Sequence, residues 1–151
     1  MLVEAKMRTH YERLGGEETI RRLVARFYEI MDELPEAYGI RKMHAGNLEE
    51  IGQKLVEFLS GWTGGPQLYV EKYGHPRLRQ RHLPFAIGVN ERNQWMMCMQ
   101  QALQETVPDE ALQRELMQAF AKVGDHMRNQ TEKPAGQMTT VNDTVNDMVN
   151  E

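Results

Sequence analysis

Apolar residues in this chain recur at steps of three and four, the period of an amphipathic helix, and no stretch alternates as a half-buried strand would. The clearest stripe is Ile20, Leu23, Val24, Phe27, Tyr28, Met31 and Leu34. Glu17 and Glu18 fall in its first turn, where the helix dipole favours negative charge; Gly15-Gly16 permits a tight entry and Pro35 stops the helix. A second stripe, Leu48, Ile51, Leu55, Phe58, Leu59 and Trp62, follows a capping Asn47 and ends at Gly64-Gly65-Pro66. Residues 91–104 predict a third helix, so widely apolar (Trp95, Met96, Met97, Cys98, Met99, Ala102, Leu103) that it must be central. Residues 109–127 predict a fourth, with Leu112, Leu116, Ala119, Phe120 and Val123 on one face. Between the second and third, residues 61–74 are too densely punctuated for a full helix, and residues 78–82 have room for one helical turn before Pro84. The expected fold class is all-α: four main helices with a glycine-rich loop between the second and third.

Length and composition narrow this to one soluble domain. A chain of 151 residues, 40% hydrophobic and 26% charged, builds one sizeable core and no second one. The net charge of −4 argues against a nucleic-acid partner. Residues 132–151 hold four acids against one lysine, net −3, so the preceding body is close to neutral at −1. That tail repeats Thr140-Val141-Asn142-Asp143 as Thr144-Val145-Asn146-Asp147 and has too little apolar area to offset its ordering entropy. The expected organisation is a domain over residues 1–129 and a polar, disordered tail over 130–151. The single cysteine, Cys98, allows no internal disulfide and no multi-cysteine zinc site. Neither a bilayer-length apolar run nor a signal-peptide pattern is seen, so the expected location is cytoplasmic, with no membrane partner.

The candidate chemistry concentrates in Gly74-His75-Pro76-Arg77-Leu78-Arg79-Gln80-Arg81-His82-Leu83-Pro84-Phe85. One histidine, His82, stands between a cluster of arginines and an apolar exit. That layout suits a metal held in an anionic macrocycle: a neutral imidazole meets the metal while cations face carboxylates at the rim.

This segment belongs to a longer series of motifs. Tyr11-Glu12, Leu14-Gly15-Gly16, Phe27-Tyr28, Trp62, Gly64-Gly65-Pro66, Leu68-Tyr69, the Gly74-to-Phe85 segment, Trp95 and Cys98-Met99 occur in this order. Together, over about residues 11–129, they make the chain resemble the truncated haemoglobins, in the group II branch. The resemblance implies a globin-like two-over-two helical sandwich around haem b (iron protoporphyrin IX), with a long loop carrying the proximal histidine. His82 matches that proximal ligand. His75, in a Gly-His-Pro turn, is read as a structural hydrogen-bonding residue of the loop.

On the other side of the ring the resemblance implies Tyr28, Trp95 and His44. Tyr28 lies on the apolar stripe of its helix, so a buried hydroxyl there needs a partner, and Trp95 offers a donor-only indole nitrogen. His44 falls where family members carry a tyrosine, phenylalanine or histidine beside the ligand. The segment before it is longer than in compact members, which suggests a mobile loop. His44 is then a donor to the ligand or a sixth iron ligand; Tyr28 is the rival sixth ligand, and a solvent-facing loop histidine is the plain alternative. Ile51 and Leu55 supply apolar walls, with Phe58, Leu78, Phe85, Met99 and Leu103 as further lining. Lys54, Arg79 and Arg81 are candidates for the haem propionates. Cys98 and its flanking methionines are read as packing.

Implied function follows the branch: reversible binding of O2 and other small ligands, NO or peroxide among them, coupled to nitric oxide dioxygenation or peroxide turnover. With no reductase domain in the sequence, turnover calls on an external reductase. A haem-based gas or redox sensor, or an electron-transfer protein, is the alternative on the same fold, as a monomer or weak homodimer.

Overall fold

The structure, a computed structural model, describes residues 8–44 and 46–130. The expected tail therefore lies outside the described residues apart from Gln130. Helices α1 (His10–Leu14), α2 (Glu17–Glu33), α3 (Tyr38–Arg41), α4 (Leu48–Trp62), α5 (Leu68–Tyr73), α6 (Leu78–His82), α7 (Val89–Thr106) and α8 (Glu110–Met127) follow in order, with a 3-10 turn at Pro35–Ala37. Among the described residues there is no strand.

The four long helices stand where the periodicity puts them. Asn47 caps α4, its side-chain oxygen accepting from the Glu49 and Glu50 amides at 2.8 and 3.4 Å. Asp109 caps α8 through the Leu112 amide at 3.1 Å. The α7 helix runs two residues further at each end than the 91–104 span, because the Gly88 amide donates to the Glu91 carboxylate at 2.6 Å and opens it earlier.

The short elements depart from expectation. Residues 61–74 are not wholly irregular, since they contain α5, which Lys72 ties to the buried Glu57 of α4 at 3.2 Å. The long connection between Tyr28 and His44 carries the 3-10 turn and α3 in place of a featureless loop. Gln94 of α7 docks it by accepting from the Ile40 amide at 3.0 Å. At the start, α1 is closed by a reciprocal Thr9–Glu12 capping box and a left-handed Gly15 at φ 100°. Tyr11 of α1 lies flat on Gly65, where a Cβ would come within 2.3 Å of its ring.

The pair α2 and α4 packs over the pair α7 and α8, with α2 and α7 in the most extensive contact. Phe27, Ile20, Leu23, Ile30, Met31, Leu59, Cys98, Met99, Leu103, Leu112 and Leu116 are sealed between these layers. This is the two-over-two helical sandwich. Met99 and Leu103, expected to line the site, belong to the sealed core, at 0% exposure. Cys98 sits with them, and burial pushes its thiol pKa up to about 11, as befits a packing residue.

Candidate functional site

The short α6 fixes His82. Four residues earlier on the same turn, the Leu78 carbonyl lies 2.6 Å from His82 Nδ1. A carbonyl only accepts, so Nδ1 carries a proton, and in the neutral form of the ring the lone pair lies at Nε2. That is the tautomer a metal-ligating histidine needs, set by a hydrogen bond of the kind that orients such ligands. His75 holds the turn before it, accepting from the Arg77 amide at 3.1 Å while Arg77 adopts a left-handed φ of 49°.

Tyr28, His44 and Trp95 form a connected aromatic group from three segments. The Tyr28 and His44 rings meet edge-on at 5.8 Å, Phe27 lies 4.9 Å from Tyr28, and Trp95 lies 5.2 Å from Phe27. Tyr28 is 8% exposed, and burial pushes its hydroxyl well above the usual phenol range, so it stays a protonated donor. Among the described residues, nothing accepts from that hydroxyl or from the Trp95 indole nitrogen.

The His44 ring is oriented by its Nδ1 contact to the Ile40 carbonyl at 2.7 Å, and Arg41 braces the backbone by donating to the His44 carbonyl at 2.9 Å and to Asp32 at 2.8 Å. Burial holds the His44 pKa below its ordinary value, against the opposing Ile40 hydrogen bond, and the nearby Arg41 charge lowers it further. The neutral ring therefore also offers a lone pair at Nε2.

The residues the sequence offers as walls are apolar and incompletely covered. On α4, Gly52, Val56 and Leu59 are buried, whereas Ile51, Leu55 and Phe58 are only half-buried. Leu78 is also half-buried, and Phe85 is 41% exposed. An apolar stripe left partly open beside two donors without acceptors and an oriented imidazole fits a flat, iron-bearing macrocycle. A separate open groove of about 570 Å³ between α2 and α4 touches Tyr28 but includes none of His44, His82 or Trp95.

The three candidate cations divide. Lys54 and Arg81 are exposed and converge on α5: Lys54 lies over the Tyr73 ring at 5.4 Å and Arg81 over Tyr69 at 6.0 Å, the two tyrosines being 4.7 Å apart. Arg79 does not join them. It is 3% exposed, and its Nη1 donates to the His126 and Arg128 carbonyls at 2.5 and 2.8 Å, at the end of α8. One residue the sequence did not point to also meets the site: Asn129, 3% exposed, whose amide reaches the His82 carbonyl.

Comparison with known proteins identifies the family. Residues 9–129 match the family model described as bacterial-like globin. The chain is 36% identical over 122 residues to group 2 truncated hemoglobin YjbI of Bacillus subtilis (strain 168), covering 81% of this chain and 89% of that protein. Among solved structures, the cold-adapted truncated hemoglobin of Pseudoalteromonas haloplanktis TAC125 superposes with a TM-score of 0.80 at 45% identity, covering 82% of this chain and 100% of that one. The group II 2-on-2 hemoglobin of Agrobacterium tumefaciens gives 0.80 at 42% identity, over 83% and 97%. The chain thus belongs to the bacterial-like globins, in the group II truncated branch, and with that family comes haem-based binding of small ligands.

Proposed function

We propose that this globin holds haem b between His82 and the group Tyr28, His44 and Trp95, and uses it to retain O2 for reaction with nitric oxide. The observation that carries the reading is the pair of donors, the Tyr28 hydroxyl and the Trp95 indole, with no acceptor among the described residues, together with an imidazole on α6 whose Nδ1 is held by the Leu78 carbonyl. When bound, haem would supply an iron centre able to take a diatomic ligand. His82 anchors that centre from the proximal turn. Lys54 and Arg81, side by side on the α5 tyrosines, pair with the two propionates. Leu55, Phe58, Leu78 and Phe85 cover the ring and exclude water.

With haem bound, Tyr28 and Trp95 would supply hydrogen bonds to a partly charged diatomic ligand. A site that slows release of O2 is poorly suited to delivery, and the same two donors orient the ligand for a second reactant. With haem and O2 in place, nitrate would take both its O2-derived oxygen atoms and the nitrogen of nitric oxide, and the one electron lost by the iron would have to come back from an external reductase. Peroxide turnover would draw on the same donors.

A second reading concerns His44. With Nδ1 held by the Ile40 carbonyl, its neutral ring is an acceptor at Nε2, which favours internal ligation in the absence of gas over donation to a bound ligand.

Purified protein is expected to show a Soret band, and His82→Ala to lose haem. Stopped-flow mixing of the oxygenated protein with nitric oxide is expected to give rapid stoichiometric nitrate. Slow or substoichiometric nitrate with intact O2 binding would remove the dioxygenase reading, and wild-type protein that takes up no haem would remove both.

A further inference from the structure

We infer that Asn129, with Arg79, is a positioning residue for the proximal histidine, so that the end of α8 sets the geometry of the His82–iron bond. This rests on the proposed ligation by His82. The Asn129 amide nitrogen donates to two carbonyls of the proximal segment, those of His82 at 3.2 Å and Phe85 at 2.7 Å. Its side-chain oxygen accepts from the Ile87 amide at 2.9 Å, and its own backbone amide donates to the Ile87 carbonyl at 2.8 Å. One side chain thereby holds three backbone groups between residues 82 and 87, the stretch joining α6 to α7. Arg79 crosses in the opposite direction, from α6 to the His126 and Arg128 carbonyls.

The two contacts restrain different freedoms of one residue. Leu78 fixes the tautomer and ring orientation of His82 through Nδ1; Asn129 fixes the backbone from which that ring projects. A five-residue helix cannot hold its own register, because its few internal hydrogen bonds do not offset the cost of nucleation. Its placement must come from outside, and the side-chain hydrogen bonds of Arg79 and Asn129 join it to residues at and just past the end of α8. Asn129 is also the last residue of the matched family segment, so the device lies within the globin unit.

The test uses the haem-loaded full chain carrying Asn129→Ala or Asn129→Asp, the latter keeping an acceptor for the Ile87 amide while losing both donors. Resonance Raman of the deoxygenated ferrous form is expected to show a shifted Fe–His stretching band in both variants, and haem transfer to an excess of apomyoglobin to quicken by about 10–100-fold. Asn47→Ala, which removes the α4 cap, serves as the control that lowers the melting temperature with the band in place. Should Asn129→Ala not fold, Asn129→Asp decides by the same band. A wild-type band in the Asn129 variants, whatever their melting temperature or rate of haem loss, would make Asn129 a structural bolt only and overturn the inference. Survival of the band in His82→Ala would instead bring down the ligation reading on which it rests.

Discussion

The Tyr28 ring is buried and its hydroxyl stays protonated, with no acceptor among the described residues, so its hydrogen bond is available to water or to a ligand. Tyr28→Phe keeps the ring and its edge contacts with Phe27 and His44 while deleting the donor, so it isolates the hydrogen bond. Such a bond to a partly charged ligand is worth roughly 1.5–3 kcal/mol, so the variant is expected to release O2 at least about tenfold faster in stopped-flow displacement. An unchanged release rate would show that the hydroxyl does not reach the ligand. Trp95 is a less clean probe, because its ring also packs on Phe120 at 5.3 Å, and truncating it loses packing along with the donor. The burial of Tyr28 was legible in the three-and-four spacing of its stripe, and His82 in its motif. Arg79 was not separable from Arg81 by sequence. On a helix two residues apart point about 200° away from each other, so one turned to solvent and the tyrosines while the other turned inward to the end of α8. Asn129 carried no signal at all, since a polar residue after the last apolar position reads as the start of a tail.

The long helices reported themselves through apolar period and caps, and the short ones did so unevenly. Thr9 and Glu12 form a capping box that stands in the sequence as Thr-x-x-Glu, so α1 was legible, though its stripe is too short to draw notice. The α5 helix was not legible: six residues cannot pass the nucleation barrier alone, and its stability comes from Lys72 on Glu57 and Tyr69 against Phe58 at 6.2 Å, contacts across the chain. Among the caps, Asn47 can be removed without touching the proximal turn, because its side chain holds only the first turn of α4. Removing the two amide contacts with Asn47→Ala is expected to cost about 1 kcal/mol, or a fall of about 2–4 °C in melting temperature for a chain of this size, read by circular dichroism of the haem-loaded protein. No fall would mean that water or a neighbouring group caps α4 equally well.

At the scale of the molecule, the two ends of the globin unit are both tied to α8. Its C-terminal end clamps the proximal turn, and its first turns anchor α1. There Arg13 donates to both Glu115 oxygens, at 2.7 and 3.0 Å, with His10 at 3.3 Å from the same carboxylate. The hydrogen bonds from Arg13 hold the Glu115 carboxyl well below its ordinary value of 4.5, at about 2, against a smaller opposing effect of burial, and His10 adds in the same direction. A carboxylate whose pKa is depressed in the folded state contributes stability that is fully present above its unfolded value and is lost as pH falls through its folded one. The contribution of this tie should therefore hold from neutral pH down to about 4.5 and fade towards about pH 2. Glu115→Gln removes the charge while nearly keeping the shape. Its melting temperature is expected to lie below that of the wild type at pH 7 and the two to converge as the pH falls through that window, all other titrations, those of the haem site included, being common to both proteins. A gap that stayed constant down to pH 2, or widened, would show that the Arg13–Glu115 charge interaction does not hold α1 against α8 and that shape alone does.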